Sequence, residues 1–189
     1  GESIEIALNK FTTDVEAEVW GQVVMAKSAP EDINTWLSDQ LKQTVKLIFM
    51  DDESIRPIRS GNDGEIVSFA DGYPLLLTGT ASLDDLNEKL TEKINIDRFR
   101  TNVHVKTTVP YEEEEWKRIK IGEVIFRVAK KCARCHVINI DQESGAASKE
   151  PLKTLSSYRK EGNKVNFGMN LIPESFGIIH EKDSITVLD

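Results

Sequence analysis

Short segments in which apolar and polar residues alternate recur along the chain, and they limit the fold class more than any other feature. The clearest follows Gly122, where Val124, Phe126 and Val128 are apolar and polar or small residues lie between them. Such alternation is typical of a β-strand that buries one face. We expect further strands at 4–8, 15–24, 45–49, 66–69, 75–78 and 103–105, and two short ones in the tail from Lys164, around Gly177 and Asp183.

Helical signals are confined to three segments. Ser28 with Glu31, and Ser82 with Asp85, have the spacing of residues that cap the start of a helix, and Pro151 precedes a third helical stripe. Strands outnumber helices, and the two do not alternate in a βαβ rhythm. The sequence therefore predicts an α+β protein that is mainly β, with an antiparallel, barrel-like core and short helices attached.

Charge and composition argue against several classes of protein. The 189 residues include 24 Lys and Arg against 32 Asp and Glu, and the net charge of −8 repels phosphate backbones, so nucleic acid is not an expected partner. No apolar run approaches the roughly 18 residues of a membrane span. The two cysteines are too few for a disulfide framework and indicate reduced thiols in a cytoplasmic protein, or one functional pair.

Polar stretches mark the organisation of the chain. Residues 51–64 combine charged residues with Pro57 and two glycine-containing turn pairs, and they predict a linker. The first residues contain neither the basic segment nor the apolar run of a signal peptide. Because the sequence starts with Gly1 instead of Met, we expect the chain to begin inside a longer protein. Residues 112–115 are four consecutive acids, which we interpret as a solvated loop, with a docking surface for a partner protein as the alternative.

The segment Cys132-Ala133-Arg134-Cys135-His136 contains both cysteines and suggests several chemistries. Its spacing matches the attachment motif of a c-type haem, but the chain shows no export signal, which such attachment usually requires. A zinc site needs four ligands, and His104, His136 and His180 share no ligand spacing with the cysteine pair. Both interpretations are disfavoured, and ordinary strand or surface histidines fit the sequence better.

Three other interpretations stay open on residue chemistry alone. A dithiol redox pair normally caps a helix, whereas Val137-Ile138 after the motif favours a strand. One cysteine can instead be a soft thiolate ligand of a redox-active metal, since Arg134 and the two preceding lysines would stabilise the thiolate. In an extended segment Cys132 and Cys135 would then face opposite sides. The third interpretation is that both cysteines are small buried hydrophobic residues.

Longer blocks of sequence resemble the MOSC domain, the family named for the C-terminal part of molybdenum cofactor sulfurase, and within it the amidoxime-reducing component and its bacterial relatives. Five blocks carry the resemblance in order over residues 65–189, with Thr101 replacing a proline of the family: Tyr73–Thr78 with the helix after it, Phe99-Arg100 with Asn102, Arg134-Cys135 to Asp141 and Gly145, Lys149–Arg159, and Phe167–Leu171. Residues 1–60 are similar to the second half of the β-rich domain that precedes MOSC in this subfamily. We expect the first half, which helps to hold the cofactor phosphate in the family, to be missing.

The resemblance implies a MOSC β-barrel at 65–189 that binds the molybdenum cofactor, a molybdopterin. It implies that Cys135 is the catalytic thiolate that ligates molybdenum. Thr78, Arg100 and Asn102 would hold the pterin and its phosphate, and Arg134 would anchor the cofactor or tune Cys135. Without the first half of the preceding domain, the cofactor would be weakly held or absent.

The activity implied by the resemblance is the molybdenum-dependent reduction of N-hydroxylated compounds such as amidoximes and hydroxylamines. The expected partners are a small-molecule substrate and a separate electron-donor protein, because the chain has no further cysteines for an iron–sulfur cluster. The alternative from another class is a non-catalytic module that carries the cofactor or sulfur.

Overall fold

The computed structural model describes residues 3–189. The described residues form mainly β structure with three α-helices and a barrel-like sheet, which confirms the predicted α+β class. The chain divides into two compact units, Gly1–Gly72 and Tyr73–Asp189. The domains expected at 1–60 and 65–189 stay a prediction.

A β-hairpin forms the centre of the first unit. Strands β1 (Thr13–Val19) and β2 (Gln22–Ser28) pair antiparallel, and β3 (Ile48–Phe49) pairs with the end of β2. Trp20 and Gly21 form the two-residue turn, and their φ angles of 53° and 77° are those of a tight hairpin loop. The single strand predicted at 15–24 is therefore two strands, because this turn interrupts it.

The helix α1 (Glu31–Leu41) follows β2, with Pro30 at its N-cap position. Ser28 does not cap this helix, because its hydroxyl donates to the backbone oxygen of Ala29. The strand predicted at 4–8 is wrong: the chain is irregular there, and a 3-10 helix, Leu8–Lys10, follows. Leu8 is exposed, so the apolar alternation of this segment is not used to cover a core.

The second unit contains the barrel-like sheet, in the order β10-β6-β7-β9-β4-β5, with β8 paired to β9. Its strands are β4 (Leu75–Gly79), β5 (Val103–Val105), β6 (Arg118–Ile121), β7 (Val124–Ala133), β8 (Lys160–Glu161), β9 (Lys164–Pro173) and β10 (Ile185–Val187). All neighbours are antiparallel except β4 and β5, which are parallel. One strand–helix–strand crossover thus exists, although the sequence showed no βαβ rhythm.

Helices cover the outer face of this sheet. They are α2 (Thr80–Lys89), which links β4 to β5, and α3 (Leu152–Tyr158), together with the 3-10 helices Ile96–Phe99, Glu112–Glu114 and His136–Asn139. The predicted third helix is confirmed. Ser82 lies inside α2 rather than at its start. Within residues 3–189, no helix has the length and apolar character needed to cross a membrane.

The sheet of the second unit is packed on both faces. Leu77 and Leu171 belong to a cluster inside the barrel with Ile119 and Phe126, while the neighbouring Leu76 faces an outer cluster under the helices. Leu86, Phe99, Ile138, Leu155 and Phe167 complete that outer cluster. Successive residues of this strand therefore lie in different clusters, because successive side chains of a β-strand point to opposite faces of the sheet.

The tail forms two strands, β9 and β10, but neither contains Gly177 or Asp183, around which two short strands were predicted. Residues Lys164–Pro173 form one ten-residue strand, β9, in the middle of the sheet. Gly168 lies within it at φ +78°, and a Cβ there would meet the backbone oxygen of Leu77 at 2.7 Å. A glycine is needed at this close approach of two strands.

Candidate functional site

Cys135 lies directly after the long strand β7, where the chain leaves the sheet. The backbone N–H of Arg134 donates to the oxygen of Val165 at 2.7 Å and so holds the end of the strand. Cys135 has extended backbone angles, φ −104° and ψ −179°, and precedes the 3-10 helix His136–Asn139. Its side chain is exposed and its thiol is free. The thiol is thus presented to solvent at the edge of the barrel.

The extended segment predicted through Ile138 is wrong, because the chain turns immediately after Cys135. Ile138 is buried in the outer cluster, and Asn139 accepts a hydrogen bond from the backbone N–H of Leu152 at 3.0 Å. Cys132 packs partly against the same cluster, while Cys135 is exposed. The two cysteines have different surroundings because the strand ends between them, not because of strand parity.

Arg134 connects the cysteine segment to a neighbouring part of the chain. Its Nη2 donates to the backbone oxygen of Phe99 at 2.9 Å, and its guanidinium lies 5.4 Å from the centre of the Phe99 ring. Its Nη1 lies 3.0 Å from the sulfur of Cys132. Nε of Arg134 is buried without a partner. Arg134 therefore contacts Cys132 and Phe99, and its role toward Cys135 stays a prediction.

Arg100 follows the segment to which Arg134 is bonded. It ends the 3-10 helix Ile96–Phe99 in a left-handed conformation, φ 53°, and its side chain is exposed. This helix contacts the helix His136–Asn139 that begins after Cys135. The hydrogen bond from Arg134 to Phe99 joins two segments that are 35 positions apart in the sequence. The structure thus brings Cys135, Arg134 and Arg100 into one loop cluster.

Arg98 is a member of this cluster that the sequence did not reveal. Its Nη2 lies 3.1 Å from Oδ2 of Asp141, and its Nη1 is buried without a partner. The pKa of the Asp141 carboxyl is held below its usual range by hydrogen bonds from Ser144, with the charge of Arg98 adding to the effect. No residue spacing predicts this pair, because Arg98 and Asp141 meet only when the two 3-10 helices pack together.

Asn102 and Thr78 lie at the junction of β4 and β5. Oδ1 of Asn102 accepts a hydrogen bond from the N–H of Leu76 at 2.9 Å, and its own N–H donates to the oxygen of Leu76 at 3.1 Å. Thr78 is fully buried, and its hydroxyl lies 2.9 Å from Nδ1 of His104 and 3.3 Å from Oγ1 of Thr101. These two polar groups are engaged within the protein, and their contact with a cofactor stays a prediction.

The acidic run at 112–115 is not a solvated loop. Glu113 is fully buried and accepts hydrogen bonds from the N–H of Gly79 at 3.1 Å and the hydroxyl of Ser82 at 2.7 Å. Glu114 forms ion pairs with Arg159 and Lys131. The predicted solvated loop is wrong because the start of α2 lies beside this run, and its unpaired N–H groups attract the carboxylate of Glu113.

The chemistry of the cluster limits which metal centre fits it. Among residues 3–189, no group of three or more His, Cys, Asp and Glu side chains is arranged to hold a metal ion. The exposed thiol of Cys135 offers one soft ligand, and Arg100 offers a charged group for an anion. This donor set suits a metal that arrives with most of its own ligands, as in an organic metal cofactor.

Known proteins match most of the chain. The sequence model of the MOSC domain matches residues 64–186. "Molybdenum cofactor sulfurase" of Oryza sativa subsp. japonica is 32% identical over 193 residues, which cover 90% of this chain and 23% of the rice protein. "Mitochondrial amidoxime-reducing component 1" of Mus musculus is 31% identical over 153 residues, 77% of this chain and 45% of the mouse protein. The human protein of that name is 28% identical over 188 residues, 92% of this chain and 56% of its own length.

The chain spans from about a quarter to about half of the length of these relatives. The matched residues 64–186 contain the barrel strands, the five predicted site residues and the loop cluster around Cys135. The match covers well over half of the sequence, and the chain is therefore a member of the MOSC domain family.

Proposed function

We propose that this chain binds the molybdenum cofactor through Cys135 and is part of an oxidoreductase that reduces N-hydroxylated compounds such as amidoximes and hydroxylamines. The observation that carries the proposal is the free, exposed thiol of Cys135 at the end of β7, in a loop cluster with Arg134 and Arg100. Membership of the MOSC family supports it, as do relatives named for molybdenum cofactor sulfuration and amidoxime reduction.

The residues of the cluster have separate tasks in this proposal. Cys135 is the protein's ligand to the metal, and when bound the cofactor supplies a redox-active centre that exchanges two electrons. The exposed guanidinium of Arg100 pairs with the cofactor phosphate, since arginine binds phosphate through two parallel hydrogen bonds. Arg134 fixes the segment that carries Arg100 through the Phe99 oxygen. Asn102 and Thr78 help to hold the pterin and its phosphate.

The reaction has defined requirements. Reduction of an N–OH group breaks one N–O bond, consumes two electrons and two protons, and yields N–H and water. The electrons come from a separate protein in this proposal.

The domain limits belong to the proposal too, with a MOSC domain at 65–189 and part of a β-rich domain at 1–60. Two free thiols suit a reducing compartment, and we propose the cytoplasm, which cell fractionation tests.

Metal analysis of the full-length protein, purified from a host that makes molybdopterin, tests cofactor binding. About one molybdenum per chain is expected in the wild type and in Cys132→Ala, and background metal in Cys135→Ala. Turnover of benzamidoxime with an artificial electron donor then tests the reductase. Equal metal in both cysteine variants contradicts the ligand assignment, and a haem Soret band contradicts the whole proposal.

A second candidate function rests on the relatives named molybdenum cofactor sulfurase. An exposed thiol also suits a module that carries the cofactor or sulfur without reducing a substrate. The same preparation separates the two functions. Molybdenum-loaded protein that does not reduce the amidoxime favours the carrier, whereas turnover that depends on Cys135 favours the reductase.

A further inference from the structure

A chain of hydrogen-bonded side chains runs beneath the candidate site. Oγ1 of Thr101 lies 3.3 Å from Oγ1 of Thr78, which in turn lies 2.9 Å from Nδ1 of His104. Thr78 is fully buried, whereas His104 lies on the edge strand β5 and is partly exposed. Thr101 stands between Arg100 and Asn102. The chain therefore links an imidazole at the surface to the segment that we propose to hold the cofactor.

The fold fixes this arrangement. β4 and β5 are parallel, and their register places Thr78 beside His104 on the same face of the sheet. A Cβ at Gly168 would lie 2.8 Å from the methyl carbon of Thr78, so the methyl group of Thr78 faces the backbone of β9. The hydroxyl group is left to face His104 and Thr101. The close approach at Gly168 thus orients the middle member of the chain.

His104 is suited to hold and release a proton. Burial lowers the pKa of His104, while a hydrogen bond to the backbone of Thr78 and the charges of Glu113 and Asp84 oppose that shift. The hydroxyl of Thr78 donates to Oγ1 of Thr101, so its oxygen is left to accept a hydrogen bond from Nδ1–H of His104. The three groups are therefore aligned for proton transfer from the imidazole toward Thr101.

The other two histidines lack such a link. His136 is exposed beside Cys135, and His180 lies in the loop before β10. Within residues 3–189, a hydrogen bond from an imidazole to one of the predicted cofactor residues is found at His104, in its contact with Thr78. Among the described residues, His104 is therefore the imidazole that a hydrogen bond to Thr78 connects to the Arg100 segment.

We propose that His104 is a positioning residue that relays protons to the candidate site through Thr78 and Thr101. This proposal rests on the proposed reductase function. Nδ1–H of His104 donates its proton to Oγ1 of Thr78, Thr78 passes its own proton to Oγ1 of Thr101, and Thr101 passes its own to the substrate. As the neutral imidazole gives up Nδ1–H, its Nε2 takes one proton from water, and proton exchange with water restores the Nδ1–H tautomer before the next passage. Two passages supply the two protons that the cleavage of one N–O bond consumes.

The first test uses cofactor-free protein and needs no activity. Nitrogen NMR of the His104 imidazole reports its tautomer and its titration. The wild type is expected to show neutral His104 with a protonated Nδ1, and Thr78→Val is expected to change both the tautomer and the midpoint. Thr154→Val, a change of the same kind on α3, should leave both unaltered. Identical His104 titrations in the wild type and Thr78→Val overturn the relay.

The second test uses molybdenum-loaded protein and the pH profile of amidoxime reduction. His104→Gln keeps a hydrogen-bonding side chain beside Thr78 but does not titrate. We expect kcat to fall by about tenfold or more at pH 7, with KM unchanged and the limb of the profile that follows His104 removed. His180→Gln is the matched control and should retain the wild-type profile.

Three results overturn the proposal in distinguishable ways. An active wild type with an unchanged profile in His104→Gln contradicts the relay alone. Loss of molybdenum in His104→Gln shows a role in cofactor binding instead of proton transfer. A loaded wild type that reduces no N-hydroxylated substrate contradicts the proposed function, and the relay with it.

Discussion

The guanidinium of Arg134 and the backbone oxygen of Phe99 are joined by a hydrogen bond of 2.9 Å, and the same guanidinium lies over the Phe99 ring. Phe99 is itself buried and stacks on Phe167 of β9, with ring centres 4.1 Å apart. The loop that presents Cys135 is therefore bonded to a segment that is fixed in the core. This contact fixes the position of the segment that carries Cys135 relative to the segment that carries Arg100.

Replacement of the two cysteines should have different effects. Cys135→Ala removes the protein's proposed bond to the metal, so the molybdenum content and the reductase activity should fall to background. Cys132→Ala removes packing against the outer cluster and the contact of the Cys132 sulfur with Arg134, about 1 kcal/mol of the free energy of unfolding, and should leave most of the activity. Metal analysis and amidoxime turnover of full-length protein measure both. Equal losses in the two folded variants would indicate a dithiol pair.

Arg134→Lys should weaken the link to Phe99 while it keeps the positive charge. Lysine has one ammonium group, which does not reach Cys132 and the Phe99 oxygen together as the arginine fork does. We expect the free energy of unfolding of cofactor-free protein to fall by about 1–2 kcal/mol. Urea denaturation measures this, with Lys130→Arg as the control for charge. Unchanged stability would show that the contact is dispensable.

Glu113→Ala should destabilise the second unit. The variant leaves the N–H of Gly79 and the hydroxyl of Ser82 buried without their acceptor, which costs about 1–3 kcal/mol. Glu115→Ala, two residues away on the exposed side of the run, should change the free energy of unfolding by less than about 0.5 kcal/mol. Denaturant unfolding of both variants provides the comparison, and similar effects would contradict the buried capping role.

Gly168→Ala and Gly145→Ala separate a steric clash from backbone strain. Both glycines have positive φ, 78° and 69°, so either alanine is strained by about 1–2 kcal/mol. A Cβ at Gly168 also meets the Leu77 oxygen at 2.7 Å, whereas one at Gly145 meets nothing within 4 Å. Gly168→Ala should therefore lower the melting temperature much more than Gly145→Ala. Comparable melting temperatures would show that β9 moves away freely.

The stability of the protein should depend on pH through Asp85. Burial raises the pKa of the Asp85 carboxyl, but hydrogen bonds from Lys89 and Tyr111 outweigh burial and place the pKa below its ordinary value. A carboxyl with a lowered pKa stabilises the fold above its unfolded pKa, about 3.9, and this contribution disappears as the pH falls through the folded value.

Asp85→Asn tests that dependence. The variant should be less stable than the wild type at pH 7, and the difference in the free energy of unfolding should shrink as the pH falls below about 4. Asp84→Asn, at an exposed position of the same helix, is the control. A difference between Asp85→Asn and the wild type that stays constant from pH 7 to pH 3 would contradict the role of the charged carboxylate.

Strands with strong local patterns were predictable, and segments that depend on distant partners were not. β5 and β7 appear where the alternation of apolar residues places them, β4 lies at the apolar run that begins at Leu75, and α3 follows Pro151. The segment after Cys135 has strand-forming residues but becomes a 3-10 helix, because Ile138 is buried under α3. Tertiary burial overrides local propensity there.

The sequence by itself determined the fold class, the family and the presence of a cysteine motif at the end of a strand. Local periodicity and ordered motifs carry that information without any knowledge of contacts. Only the tertiary structure decided that Glu113 is buried beneath α2, that Arg134 reaches Phe99, and that Thr78 joins His104 to Thr101. These pairs are separated by many residues, and their partners are chosen by packing, which one-dimensional patterns do not encode.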